Sequence, residues 1–298
     1  MRGIVLAGGS GTRLHPITLA VSKHLLPVSD KPMIYYPLAT LMQAGIRDIL
    51  IITTPHDRPQ FERLLGDGAE LGLRLSFAEQ AAPNGLAEAF VIGEDFIGSD
   101  KVALVLGDNV FHGQALDETL ALSTRDVDGC VLFGYRVPNP ERFGVGETDL
   151  EGRLVSLEEK PVRPRSDRAI TGLYLYDNRV VEVAKNLRPS VRGELEITDV
   201  NRWYLERGAA RLVDLGEGVA WLDTGTPESL LKAGQYVRTM EELQKVRIAC
   251  LEEIALRMGF ITPDECLRLG RRMANSAYGR HVLSVATDEA FRRELVSV

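Results

Sequence analysis

The apolar run Gly3-Ile-Val-Leu-Ala7 empties straight into Gly8-Gly-Ser-Gly11, and no other stretch of the chain constrains the fold as tightly. A short apolar run without polar alternation reads as a strand buried on both faces, as in a parallel sheet covered by helices. Successive glycines after such a strand let several backbone N–H groups point into one concavity that a side chain would otherwise fill. Ser10 and Thr12 add hydroxyls, and Arg13 adds a permanently charged fork suited to phosphate oxygens. The junction therefore proposes a triphosphate or pyrophosphate ligand at the carboxyl end of the first strand.

Single residues exclude the better-known glycine motifs. A dinucleotide-binding G-x-G-x-x-G needs glycine where Leu14 stands, and the next strand ends in Thr53-Thr54 instead of an acid that would hold a ribose. Both disfavour a nicotinamide-dependent oxidoreductase. A P-loop needs Gly-Lys-Ser/Thr where Arg13-Leu14 stands, and a G-x-S-x-G elbow fails at Thr12.

Strand and helix patterns alternate up to about Ala220. Arg47–Thr53, Leu73–Glu79 and Val102–Leu106 read as further strands, and Pro32–Ala44, Asp57–Leu65, Leu86–Ile92 and Ala115–Ser123 as helices. The prediction is an α/β fold with a Rossmann-like mixed, mainly parallel sheet and flanking helices. Cys130–Val137, Leu154–Lys160 and Ile170–Tyr176 read as strands with few helices between them, which predicts a subregion of antiparallel or mixed pairing forming a wall over the parallel sheet. Glu196–Arg207 reads as a helix stopped by Gly208. Thr226-Pro227 is an N-cap with proline at the first helical position, and from there the pattern stays helical nearly to the end. A helical appendage is expected at about 240–298.

Composition narrows the ligand more than the fold. The 298 residues carry a formal charge of −7, which argues against a nucleic-acid polymer as partner but not against a single nucleotide in a local basic pocket. Cys130, Cys250 and Cys266 are odd in number and lack metal-ligand spacing, so a reduced cytoplasmic setting is expected. The five histidines are scattered, and no histidine-based metal site is expected. The N-terminal apolar run is too short for a signal-peptide core, and no stretch approaches the about 18 apolar residues of a membrane span.

Several charged residues suit phosphate chemistry while also having plain structural uses. Lys23 lies ten residues beyond Arg13 in the same loop, so both cations can reach one phosphate chain, although an isolated lysine is ordinarily a solvated surface group. Asp108 closes a strand in Leu106-Gly-Asp-Asn109; a carboxylate there suits Mg²⁺ bridging phosphates, or an Asx-turn that only shapes the loop. Asp223 in Asp-Thr-Gly225 completes a two-carboxylate metal site with Asp108, or is a turn residue before the helix at Pro227. In Glu158-Glu-Lys-Pro161, strand alternation puts Glu158 and Lys160 on one side and Glu159 on the other, until Pro161 distorts the pattern. Glu194 and Glu196 read mostly as acids favouring a helix N-terminus.

Taken jointly, the segments resemble the sugar-1-phosphate nucleotidylyltransferases, and within that family the bacterial glucose-1-phosphate thymidylyltransferases. The resemblance spans nearly the whole chain. It rests on the order of Leu6-Ala-Gly-Gly-Ser-Gly-Thr-Arg-Leu14, Ser22-Lys-His-Leu-Leu-Pro27, Asp30-Lys-Pro-Met-Ile-Tyr-Tyr-Pro37, Leu106-Gly-Asp-Asn109, Glu158-Glu-Lys-Pro161, Gly193-Glu-Leu-Glu-Ile-Thr-Asp-Val200 and Trp221-Leu-Asp-Thr-Gly-Thr226. It implies transfer of dTMP from dTTP to α-D-glucose 1-phosphate, giving dTDP-glucose and pyrophosphate for dTDP-rhamnose or other deoxysugar synthesis. The alternatives are a uridylyl- or cytidylyltransferase on another sugar phosphate, or a catalytically silent sugar-nucleotide sensor.

The same resemblance implies the site. Leu6, Gly8, Gly9, Ser10, Gly11 and Thr12 wrap the nucleotide, Arg13 and Lys23 hold its phosphates, and Gln80 and Gly85 read the thymine edge. Asp108 and Asp223 hold Mg²⁺. Gly144, Glu159, Lys160 and Tyr174 position the sugar phosphate, with Lys160 near the attacking oxygen. The catalytic domain is expected over residues 1–239, its nucleotide part at about 1–125 and its sugar part at about 126–225. Residues 240–298 would serve assembly, as a homotetramer, and regulation through a second nucleotide site that includes Gly113, Glu253, Ile254 and Arg257. His24, Val145-Gly146-Glu147 and Phe111-His112 depart from the family pattern. Beside Lys23, a titrating His24 would make phosphate binding pH-sensitive.

Overall fold

The apolar runs at the start of the chain pair side by side. In the computed structural model, which describes residues 1–9 and 11–296, strands β1 (Arg2–Ala7), β2 (Asp48–Thr53), β3 (Arg74–Glu79) and β4 (Val102–Leu106) run parallel in the order β4-β1-β2-β3. Neighbouring residues in β1 feed opposite cores. Val5 joins Ile49, Ile51 and Val105 on one face, while Ile4 and Leu6 join Leu50, Ile52 and Leu104 on the other. Covering helices account for both faces: α1 (Tyr35–Gln43), α2 (Arg58–Leu65), α3 (Glu88–Ile92) and α4 (Leu116–Arg125) lie close to the expected positions.

The middle strands pair antiparallel as expected, but they do not form a separate wall. Strands β5 (Asn109–His112), β6 (Cys130–Arg136), β7 (Gly144–Thr148), β8 (Leu154–Glu159) and β9 (Arg168–Tyr176) follow. β9 pairs antiparallel with β4 on one side and with β6 on the other, and it touches β7 at Ala169. The middle strands therefore extend one nine-stranded sheet, β8-β7-β9-β4-β1-β2-β3, with β6 beside β9 and β10 (Ala210–Asp214) parallel to β6. The reason lies in β9 itself: Leu173 and Leu175 enter one core, Tyr174 and Tyr176 the other. A strand apolar on both sides needs cover on both faces, which the helices flanking the main sheet supply. β5 instead pairs antiparallel with β11 (Ala220–Asp223) in a separate ribbon.

Helices α5 (Val180–Lys185) and α6 (Ile197–Leu205) cover the second core, and α7 (Pro227–Gln244) starts at the expected cap, where Thr226 Oγ1 accepts from the Ser229 amide at 3.2 Å. Helices α8 (Leu251–Arg257), α9 (Pro263–Arg272) and α10 (Ala277–Val296) complete the fold. Leu251, Ala255, Leu256, Cys266 and Val282 are buried in the same core as Leu38 and Leu41 of α1. Among the described residues no helix is long and apolar enough to cross a membrane.

Candidate active site

The carboxyl ends of β1 and β4 open into a cleft of about 410 Å³. Thirteen of the nucleotide, sugar-phosphate and metal residues that the resemblance implies line it: Leu6, Gly8, Gly9, Arg13, Lys23, Gln80, Gly85, Asp108, Gly144, Glu159, Lys160, Tyr174 and Asp223. Gly11 and Thr12 sit beyond its wall, in the turn where the Gly11 carbonyl accepts from Thr18 Oγ1 at 2.8 Å. Ser10 lies outside the described residues.

At one end of the cleft, close backbone approach explains two glycines. A Cβ on Gly8 would stand 2.7 Å from Gln80 Oε1, and Gly85 (φ +109°) lies where a Cβ would meet the Leu195 carbonyl at 2.4 Å. Gln80 is itself locked, its Nε2 donating to the Gly85 carbonyl (3.1 Å) and to Glu88 Oε2 (2.8 Å). A fixed amide beside exposed backbone is suited to reading the polar edge of a base.

The centre of the cleft concentrates charge. Lys23 Nζ donates to Asp108 Oδ2 at 2.6 Å, and Asn109 Nδ2 donates to Asp108 Oδ1 at 2.9 Å. Burial alone would raise the Asp108 carboxyl; the ion pair with Lys23 and these hydrogen bonds hold it well below the usual carboxylate range. The ribbon sets Asp223 opposite Asn109, and Thr224 donates from both its amide (3.1 Å) and Oγ1 (2.7 Å) to the Asp108 carbonyl. Asp223 is pushed up by burial and by the charge of Asp108, with Arg13 and Lys23 opposing. Two carboxyls that repel each other inside a cleft form a hard oxygen donor set that fits a divalent cation.

His24 does not titrate near neutrality. Burial first and the neighbouring Lys23 second take its ring down to about 3, which argues against the expected pH sensitivity. The buried ring packs against the Gly107 backbone, where a Cβ would come within 2.6 Å of Cδ2.

At the far end the strand alternation fails. β8 stops at Glu159 and Lys160 adopts φ +43°, a left-handed turn that carries its side chain into the cleft beside Glu159, at 3.5 Å. Glu158 pairs with Arg165 at 3.5 Å and is absent from the cleft wall. Thr198 Oγ1 donates to Glu159 Oε2 at 2.5 Å, and Arg192 reaches Glu159 (3.4 Å) and Glu196 (2.7 Å). Glu196 does precede α6 as its N-cap, yet both it and Glu194 face the cleft. Sequence reasoning missed Arg192, Thr198, Trp221 and Asn109. Asn109, Thr198 and Trp221 each lie inside a motif segment, but only Asn109 adjoins a residue read as a ligand; its Oδ1 accepts from Trp221 Nε1 (2.6 Å) and the Gly172 amide (3.1 Å), tying β5, β11 and β9 together under the cleft.

Glu253, Ile254 and Arg257 lie on α8, away from this cleft, with Glu253 and Arg257 paired at 2.5 Å. Gly113 follows β5 and packs against the Gly218 carbonyl, where a Cβ would stand at 2.1 Å. The Arg257 charge reaches Asp117 at the start of α4. Cys250, Glu253 and His281 also converge, a grouping that spacing along the chain did not suggest.

The cleft agrees with what similarity to known proteins shows. The family model described as nucleotidyl transferase matches residues 2–240. A glucose-1-phosphate thymidylyltransferase from Neisseria meningitidis serogroup A is 59% identical over 283 residues, 95% of this chain and 98% of that protein. The chain belongs to the nucleotidyl transferase family, among its glucose-1-phosphate thymidylyltransferases. A thymidylyltransferase of that name from Mycobacterium tuberculosis is 55% identical over 285 residues, 96% of this chain and 99% of the relative. Among solved structures, a putative glucose-1-phosphate thymidylyltransferase from Bacillus anthracis in complex with a sucrose superposes with TM-score 0.74 at 41% identity, covering 80% of this chain and 95% of that one. A UDP-glucose pyrophosphorylase complexed with UDP-glucose gives 0.69 at 25% identity, covering 80% and 98%. Nucleotidyl transferases of this class act on a nucleoside triphosphate and a sugar 1-phosphate and use a divalent metal.

Proposed function

We propose that this chain transfers dTMP from dTTP to α-D-glucose 1-phosphate. The observation that carries the reading is the convergence of Arg13, Lys23, Lys160, Asp108 and Asp223 on one cleft, in a chain 52–59% identical to proteins named for that reaction. A phosphate oxygen of the sugar phosphate attacks the α-phosphorus of dTTP, the α–β anhydride bond breaks, and pyrophosphate leaves with the electron pair. The attacking oxygen is already anionic near neutral pH, so no strong base is needed. Two polyanions must be held in line against their repulsion, and positioned cations do this.

Arg13 and Lys23 hold the triphosphate against the loop that begins at Gly8 and includes Gly9, Gly11 and Thr12. Gln80 and Gly85 meet the thymine. Gly144, Glu159 and Tyr174 position the sugar, and Lys160 guides its phosphate to the α-phosphorus. Asp108 and Asp223 are the residues that would hold Mg²⁺, whose chemistry is to neutralise charge on the phosphates. Residues 1–239 form the catalytic part, while 240–298 serve assembly into a homotetramer and a regulatory site at Gly113, Glu253, Ile254 and Arg257. The enzyme works in the cytoplasm.

The similarity to a UDP-glucose pyrophosphorylase favours one second reading, uridylyl transfer. A pyrophosphate-release assay crossing dTTP, UTP, CTP and GTP with several sugar 1-phosphates separates the two. dTTP with glucose 1-phosphate is expected among the best pairs; a clear preference for UTP would replace this reading with the second.

A further inference from the structure

We propose that Cys250, Glu253 and His281 form a binding site for a transition-metal cation of the zinc class, distinct from the cleft and sharing Glu253 with the regulatory site proposed above. Cys250 is the residue before α8 and Glu253 lies three positions on, so one helical turn presents both on one side; His281 comes from α10. The thiol sulfur, a carboxylate oxygen and a ring nitrogen all lie within 4.8 Å of one another. Glu253 Oε2 and His281 Nε2 are 2.6 Å apart, while the other Glu253 oxygen is held by Arg257. Metal–ligand bonds of about 2.0–2.3 Å at tetrahedral angles separate donor atoms by roughly 3.3–3.7 Å, so small side-chain adjustments close the shell.

Three features favour a cation here. The donor set combines soft sulfur, borderline nitrogen and hard oxygen, which suits zinc-class ions and not magnesium. The neighbouring Glu252 carboxyl is buried, accepts from the Tyr278 hydroxyl and from the Cys250 thiol (3.8 Å), and has no basic side chain within 4.0 Å among the described residues, so its charge faces the site uncompensated. The site is also reachable: Cys250 and Glu253 are buried, but His281 is partly exposed and lines a second cleft of mixed charge, with Glu241 and Glu242 beside Arg238, Lys245 and Arg247. Without metal, burial first and Glu252 next push the Cys250 thiol up, so it is protonated. Coordination converts it to thiolate and releases that proton to solvent; the proton shared by His281 Nε2 and Glu253 Oε2 must also leave, by a shift to Nδ1 of the ring or by loss to solvent, so that both atoms can bind the ion. The ion would clip the start of α8 to α10.

The test uses the full chain, stripped with chelator and titrated with Co²⁺ in excess Mg²⁺, which occupies all-oxygen sites. A sulfur-to-cobalt charge-transfer band is expected, absent in Cys250→Ser, with Co²⁺ affinity weakened at least about tenfold in His281→Tyr. Zn²⁺ should displace the Co²⁺ and raise the melting temperature of the parent protein but not of His281→Tyr. His281 is partly exposed and on a different helix, so that variant decides the matter even if Cys250→Ser fails to fold. No thiolate band at any Co²⁺ concentration, a band that survives in folded Cys250→Ser, or unchanged affinity in His281→Tyr would each overturn the site and leave a simple His–Glu pair beside a buried thiol.

Discussion

The central sheet holds a buried carboxylate at each end, and the two are built in opposite ways. At the carboxyl ends of the parallel strands Asp108 shares a cleft with Asp223, which burial and the Asp108 charge push up. At the other end Asp177, just after β9, is saturated by the protein. It accepts from the Gly129 amide (2.8 Å), the Tyr204 hydroxyl (2.7 Å), and both the amide (3.0 Å) and Nε (2.8 Å) of Arg179. A buried carboxylate whose partners are complete holds elements in place. A pair set against each other in a cleft is kept for something else to neutralise.

That contrast can be broken most directly at the cleft. Asp108→Ala and Lys160→Ala should each lower turnover by roughly tenfold to a thousandfold, the scale of one lost electrostatic contact to a transition state. Steady-state pyrophosphate release by the folded variants measures this, and near-parental turnover would remove the distinction between the two ends.

Asp177→Ala should do the reverse, leaving turnover per folded molecule intact while costing about 2–6 kcal/mol in a urea melt. Two buried donors, from Gly129 and Tyr204, would each lose their acceptor at about 1–3 kcal/mol. The pH dependence sharpens the point. Although burial alone would raise Asp177, its hydrogen bonds lower it in the folded state, so its contribution is fully present above the unfolded carboxylate value of about 3.9 and is lost as pH falls through the lowered folded value. Asp177→Asn should therefore flatten the acid arm of the stability curve; an arm as steep as the parent's would assign that slope to other groups.

The smallest effect is expected between the two ends' extremes, at His24. Its ring is buried and titrates at about 3, so the pH–rate profile of His24→Gln across the neutral range should overlay the parent's. A shifted profile would mean that the ring exchanges protons with solvent during turnover.

Much of the fold was legible because each apolar strand announced itself locally. β1, β2, β3 and β4 are continuous apolar or alternating runs between loops, and Gly45 and Thr226-Pro227 mark helix ends by backbone rules that act over a few residues. β7 was not legible, since Gly144-Val-Gly-Glu-Thr148 has neither apolar continuity nor clean alternation and exists as a strand because β8 and β9 pair with it. Lys160 was placed on the wrong side for a related reason: period-2 reasoning assumes the strand continues, and a positive φ ended it.

The candidate site divides the same way. Arg13, Lys23 and Asp108 lie at ends of early elements, where a glycine loop or a strand terminus already points to a cleft. Arg192, Thr198 and Trp221 lie in or beside motif segments without a chemistry of their own to single them out, and only contacts with Glu159 and Asn109 give them a place.

The sequence by itself determined the parallel strands, the phosphate-suited loop and the set of charges, because strand burial, glycine freedom and side-chain charge are properties of short segments. The tertiary structure alone decided which charges meet. Asp108 and Asp223 come together through the ribbon of β5 and β11, and Cys250 and Glu253 meet His281 through the packing of α8 on α10. Such meetings arise from sheet order and helix packing, which sum weak contacts over the whole chain and leave no mark in the local spacing of the residues they join.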